Sequence, residues 1–331
     1  MPLCRYNALP LYQTSSSVVY CYGNSIRGSM KLTRTVVIAM ANQKGGCGKT
    51  TTTVSLAAGL AKLDYRVVLI DTDPQCNATD CFGLDREALA KDGFFSVADA
   101  YLANRPMSEI VVNFPDRFGQ SLFVAAGHRG LSAIPQRLES ELQELLARDG
   151  SSNLEADDIR QEQRGRLRNS IESLRDQVDF VLIDTPPDLG FIMTTALIAA
   201  DYFIIPVFPS GYDLKGLETL MGTADKVQKR LNPQLQLLGV VMGNVDSNAR
   251  LDADIRQMLR RKFGEDRVFE TFIGRSVKHR EAPVYGRTVF EHAPNLPAAQ
   301  QFSELSREVV KRVGAMLAVG AEPAAQKVAH V

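Results

Sequence analysis

Residues 34–318 predict a doubly wound α/β domain, a mostly parallel sheet flanked by helices. Short apolar runs recur at 35–41, 66–71, 121–126, 179–184, 202–208 and 237–243. They are continuous and do not alternate with polar residues, as expected of strands covered on both faces. Helical stretches separate them, and that rhythm builds a parallel sheet with its ligand site at the carboxyl ends of the strands. A glycine-rich loop directly follows the first run, at one of those ends.

Residues 1–33 stand apart from this pattern. Ser15-Ser16-Ser17 and scattered tyrosines carry no strand or helix periodicity, so an unstructured extension is expected. Translation from Met30 would leave the first strand and loop complete, which makes residues 1–29 dispensable on this reading. They are also too short for a helix-turn-helix domain.

The first strand, Thr35-Val36-Val37-Ile38-Ala39-Met40, leads into Asn42-Gln43-Lys44-Gly45-Gly46-Cys47-Gly48-Lys49-Thr50-Thr51-Thr52. Gly45, Gly46, Cys47, Gly48 and Thr51 present backbone N–H groups to a polyphosphate. Lys49 reaches the β/γ-phosphates and the Thr50 hydroxyl ligates Mg²⁺. Gln43 stands where the usual G-x-x-x-x-G-K-[ST] pattern has glycine, and Lys44 is a lysine that pattern does not need. The match is to a variant, K-G-G-x-G-K-[ST]. Val54, Leu56, Ala57, Leu60 and Ala61 then form an apolar stripe at helical spacing. The loop therefore sits at a helix N-terminus, where free N–H groups and the dipole favour an anion.

The second strand ends Asp71-Thr72-Asp73-Pro74-Gln75-Cys76-Asn77 and the fourth run ends Asp184-Thr185-Pro186-Pro187. A carboxylate at the tip of a strand beside the loop is placed to order Mg²⁺ through its water shell, which is the role of Asp184. Asp73 is the candidate for orienting the attacking water. Asp71 points to the opposite side of an extended segment. It is a further candidate for the metal shell or for bracing Lys49, with a plain strand-end turn as the alternative.

Between residues 131 and 177 the sheet pattern pauses. Leu138, Leu142, Leu145 and Leu146 mark an amphipathic helix, Asp149-Gly150-Ser151-Ser152-Asn153 a break, and a highly charged helix follows. A solvated helical excursion is expected, with a partner-docking surface as the alternative. Residues 319–331, with Gly320, Pro323 and several alanines, read as a flexible tail.

With 38 basic and 38 acidic residues, no global field selects nucleic acid or a membrane, so any polyanion surface must be a local patch. Three basic clusters qualify: Lys226, Lys229 and Arg230; Arg256, Arg260 and Arg261; Arg275, Lys278 and Arg280. On composition alone each reads first as a solvated helix face. No apolar run approaches the roughly 20 residues that span a bilayer. The five cysteines, Cys4, Cys21, Cys47, Cys76 and Cys81, have no zinc-like spacing and read as reduced thiols of a cytoplasmic protein.

Taken together these segments resemble the deviant Walker A ATPases of the plasmid and chromosome partition type, ParA and Soj, within the wider P-loop group that includes MinD. The block from Ala41 to Thr51 is similar to that family's first motif, with Cys47 in place of a common valine. Asp71 to Thr79 and Asp184 to Pro187 resemble its second and third. Arg280-Glu281-Ala282-Pro283-Val284-Tyr285-Gly286-Arg287 resembles its S-E-A-P-x-x-G-K segment, with Arg280 for serine and Arg287 for lysine. The likeness covers residues 34 to 315.

The resemblance implies an ATPase with ATP and Mg²⁺ as ligands. It implies a homodimer formed on ATP binding, in which Lys44 crosses to the partner's phosphates. It also implies non-specific DNA binding by that dimer, slow hydrolysis stimulated by a ParB-like centromere-binding protein, and a nucleoid-associated location in the cytoplasm. Asn244 and Pro283 fall where such ATPases hold the adenine, although Asn244 is also a plain strand-end turn residue. A related machine for another cargo, such as a carboxysome, a chemoreceptor cluster or a division component, shares these motifs. An iron–sulfur reductase of the nitrogenase iron protein type shares the loop but needs exposed cysteines that this chain lacks after residue 81. A membrane-bound relative would end in a basic amphipathic helix, which the Ala, Gly and Pro of the tail do not form.

Overall fold

The computed structural model describes residues 7–8, 32–149, 153–209, 214–246 and 249–320. Eight strands form one sheet: β1 (Asn7–Ala8), β2 (Val36–Met40), β3 (Val67–Asp71), β4 (Val111–Asn113), β5 (Leu122–Ala125), β6 (Phe180–Asp184), β7 (Tyr202–Val207) and β8 (Gln236–Met242). Their spatial order is β1-β4-β5-β3-β6-β2-β7-β8. From β5 to β8 every pairing is parallel. At the other edge β4 runs antiparallel to β5, and β1 antiparallel to β4.

Every residue of β2, β3 and β6 is buried, which the unbroken apolar runs require. Val37, Ala39, Val68, Ile70, Val181 and Ile183 face one helical layer. Val36, Ile38, Met40, Val67, Leu69 and Leu182 face the other. The six expected strands are present within a residue or two of their expected ends. The two antiparallel edge strands are new: Val111-Val112-Asn113 is too short to show a period. Apart from Asn7 and Ala8, the expected unstructured extension up to residue 31 lies outside the described residues, as does the tail from 321.

The expectation of a solvated excursion is corrected. The helices over Ile134–Asp149 and Asn153–Glu172 belong to one covering layer of the sheet. Leu138, Leu167, Ile171 and Leu174 are buried in the core shared with the helix Phe191–Ala199, and Leu142 is buried as well. Arg166 is held nearly out of water between Glu141 and Glu162 and donates to the Tyr101 carbonyl. The high charge of the second helix is real, but a narrow apolar stripe is enough to dock it. The expected break falls at residues 150–152, outside the described residues.

Among the described residues no helix is long and apolar enough to cross a membrane. The helix Lys49–Ala61 is buried on nearly all sides and not only along a stripe. The sheet covers one side and the long helix Pro297–Gly320 the other.

Candidate nucleotide site

The loop after β2 is shaped by its glycines and by one asparagine. Gly46 and Gly48 take positive φ of 70° and 86°. A Cβ on Gly48 would also lie 2.7 Å from the Phe208 ring. The Asn42 carboxamide accepts the Lys44 N–H at 3.0 Å and donates to the Pro206 carbonyl at 2.7 Å, tying the loop to β7. The helix at Lys49 starts without a side-chain cap and without an acidic residue in its first turn. Its leading N–H groups are therefore left for an anion. Lys49 is buried and donates to the Lys44 carbonyl at 3.0 Å, folded back along the loop it would leave to reach a phosphate.

Beneath the loop, Asp184 at the end of β6 is fully buried and receives two hydroxyls of the same helix. Thr50 Oγ1 donates at 2.8 Å and Thr53 Oγ1 at 2.9 Å. Burial raises the Asp184 pKa, and the threonine bonds pull it back. An oxygen-only pair of hydroxyl and carboxylate fits Mg²⁺, which keeps most of its waters and takes phosphate oxygens as well. Among the described residues no cluster of three His, Cys, Asp or Glu side chains could hold a metal by itself, in keeping with that division of ligands. Thr53 was not singled out in the sequence, yet it lies one helical turn after Thr50 and the period would place both on one face.

Asp71 and Asp184 are register partners in adjacent strands. Asp71 is turned away from the loop and accepts the Thr79 N–H at 2.8 Å, the Thr79 hydroxyl at 2.6 Å and the Asp73 N–H at 3.2 Å. This corrects its candidacy for bracing Lys49 or the metal shell: both oxygens are taken by the turn and short helix that follow β3. Asp73 faces the cleft, with one oxygen accepting the Gln75 N–H at 2.8 Å.

The cleft has a volume of ≈ 620 Å³. It brings together Gly45, Gly46, Gly48, Lys49, Thr50, Thr51, Asp73 and Asn244. Cys47 is buried behind the loop, its thiol donating to the Lys44 carbonyl, and Lys44 itself is exposed outside the cleft. The sheet order orients the cleft. Asp73 follows β3, Asp184 ends β6, the phosphate loop follows β2, Phe208 follows β7, and Gly243-Asn244 follows β8. Asn244 has φ 55°, which turns the chain at the far end.

Pro283 does not line this cleft, and the neighbouring Val284 and Tyr285 are 80% and 66% exposed. Arg275, Ser276, Val277, His279 and Arg280 line the wall instead. The segment is drawn there because its backbone is laced to the end of β8 through Met242 and Val245. That placement also puts Arg275, one of the DNA candidates, at the cleft rim.

Of the other DNA candidates, Lys229 pairs with Asp225, Arg256 and Arg260 share Glu270, and Lys278 pairs with Glu281. Lys226, Arg230 and Arg261 are exposed. Solvated pairs of this kind are worth about 1 kcal/mol or less, so phosphates compete with them readily. The described cysteines Cys47, Cys76 and Cys81 are all buried and in no disulfide.

The AAA-domain family profile matches residues 35–237. The chain is 36% identical to the chromosome-partitioning ATPase Soj of Thermus thermophilus, over 83% of this chain and 96% of Soj. It is 32% identical to the chromosome partitioning protein ParA of Myxococcus xanthus, over 88% of this chain and 93% of ParA. Among solved structures it is similar to cobyrinic acid a,c-diamide synthase from Mycobacterium smegmatis with bound ADP and magnesium. The TM-score is 0.66 and the identity 25%, covering 85% of this chain and 96% of that one.

Proposed function

The chain belongs to the Soj/ParA family of ATPases, and from that premise we propose that it hydrolyses ATP to ADP and phosphate in a Mg²⁺-dependent switch that partitions DNA. One observation carries the enzymatic half of this reading. The Thr50–Asp184–Thr53 bonds lie under the phosphate loop, and Asp73 faces the same cleft from the neighbouring strand.

In this reading Lys49 swings from the Lys44 carbonyl onto the β/γ-phosphates. Thr50 and Asp184 hold Mg²⁺, Asp184 through water, and the bound ion neutralises charge on the phosphate oxygens. The Asp73 oxygen not engaged by Gln75 accepts a hydrogen bond from the attacking water and aligns it with the γ-phosphate.

Lys44 gives the nucleotide its second role. Exposed beside the loop, it reaches the phosphates bound to a second copy, so ATP becomes a signal for homodimer formation. The dimer doubles basic clusters that are weak singly, and non-specific DNA binding follows on the nucleoid in the cytoplasm. A ParB-like partner accelerates hydrolysis and releases the protein. The deciding experiment is DNA binding with ATP, with ADP and without nucleotide across a salt series. Tight, salt-sensitive binding with ATP alone is expected, and equal binding in all three states would sink the switch.

A further inference from the structure

The far end of the cleft contains a polar side chain whose buried atoms make no hydrogen bond of good geometry. His279 lines it together with Asn244, Ile273, Ser276 and Phe302. The imidazole meets the Phe302 ring edge-on, with centroids 5.5 Å apart and an interplanar angle of 87°. Both ring nitrogens are shielded from solvent, and neither has a hydrogen-bond partner of good geometry. Burial lowers the pKa, against the Gly274 carbonyl, which favours the charged ring. At neutral pH the ring therefore offers one donor and one acceptor.

Buried polar atoms are nearly always paired, and an exception beside a ligand cleft points to a missing partner. The sheet order says which part of a nucleotide that partner belongs to. Phosphates over the loop after β2, with Mg²⁺ on the Asp184 side, send the nucleoside the other way, past Phe208 toward Gly243 and Asn244 after β8. Ile273 and Arg275 are hydrogen-bonded to Met242 and Val245 at that end, and His279 follows on the same segment. A half-turn of the imidazole exchanges each nitrogen with a ring carbon without moving the ring plane, so the edge contact with Phe302 is kept while a nitrogen changes sides.

We propose that His279 is a nucleoside-recognition residue, turning a ring nitrogen into the cleft to hydrogen-bond the base or ribose of the bound nucleotide. This rests on the ATPase reading. It makes His279 a binding group beyond the phosphate loop, with no part in the phosphoryl chemistry.

The test is calorimetric titration of the full chain with Mg-ADP and with inorganic tripolyphosphate, for the parent, His279→Leu and His279→Gln. In His279→Leu, ADP affinity should fall about ten-fold while tripolyphosphate affinity holds, and glutamine should restore part of the loss. The nucleotide-free melting temperature of His279→Leu should equal or exceed the parent's, because an unpaired polar group has been removed. Unchanged ADP affinity in the leucine variant overturns the proposal. So does a joint fall in both affinities with a lower melting temperature, which would make His279 a prop for Phe302. If the parent binds neither probe, the ATPase reading fails first and this one with it.

Discussion

Thr50 Oγ1 donates to Asp184 Oδ2 at 2.8 Å, joining the first turn of the phosphate-loop helix to the tip of the adjacent strand across 134 residues of sequence. The bond holds in one place the two groups proposed to hold Mg²⁺. Asp184→Asn keeps an oxygen for Thr50 and loses the charge. Mg²⁺ affinity measured at fixed ATP should fall about 10- to 100-fold, the usual cost of losing a group that acts on a metal from behind its immediate ligands. An unchanged Mg²⁺ requirement would remove Asp184 from the metal site.

Asp71 predicts a pH dependence. Burial raises its pKa to about 7, the charge of Asp184 adds to the rise, and the Thr79 bonds oppose it. The unfolded chain releases the same proton near pH 3.9. Between about pH 4 and pH 7 the folded state therefore holds more protons, and stability falls as pH rises through that window. The stabilisation is fully present below about pH 4 and lost above about pH 7. Nucleotide-free protein should melt higher at pH 5 than at pH 7.5, and Asp71→Asn should flatten the difference. An equal slope in parent and variant would assign the effect to other groups.

The contrast between Asp71 and Asp184 shows what was legible beforehand. Asp184 follows a plain apolar strand and sits where strand geometry places it, so its position beside the loop could be read from spacing. The partner of Asp71 depends on the turn through Cys76, at φ 58°, which swings Thr79 back onto the carboxylate. No periodicity encodes such a turn. The place of Pro283 off the cleft wall was not legible for a similar reason: its helix follows a segment positioned by backbone bonds from 273–275 to the end of β8, which are tertiary contacts. The charged helix Asn153–Glu172 misled because its buried Leu167 and Ile171 are outnumbered by charged residues.

The Lys44 side chain is exposed beside the loop and does not line the cleft of its own chain, and the proposed reading gives it a role at a second copy. Lys44→Ala should bind ATP within about three-fold of the parent, since the groups that cradle the phosphates remain. It should stay monomeric with ATP in size-exclusion chromatography coupled to light scattering. An ATP-dependent dimer of normal stability would falsify the crossing role.

Asp73 separates hydrolysis from assembly. Asp73→Ala removes the carboxylate that aligns water while leaving Thr50, Asp184 and both lysines untouched. Turnover should drop by at least about 100-fold, the typical share of a positioned acid or base, with nucleotide affinity retained and the ATP-bound dimer persisting on DNA. Steady-state phosphate release at the parent's rate would exclude Asp73 from positioning the water.

Arg117 ties Phe82, in the segment after Asp73, to Gly286 and Glu291, which follow the cleft-lining segment in sequence. It makes a two-point contact with Glu291 at 2.8 and 2.9 Å and donates to the carbonyls of Phe82 at 2.7 Å and Gly286 at 3.0 Å. The rings of Phe82, Phe114 and Phe118 surround its guanidinium. Under it, Gly286 at φ 60° comes so close that a Cβ there would lie 2.9 Å from the Gly83 Cα. Arg117→Met keeps the apolar stem but leaves the Glu291 carboxylate and two carbonyls short of donors in a site where both side chains are mostly buried. The loss should be about 2–4 kcal/mol in urea unfolding. Arg117→Lys should recover only part of it, because an ammonium cannot serve a carboxylate at two points and reach two carbonyls at once. A methionine variant as stable as the parent would mean that the glycine contact alone holds the two segments together.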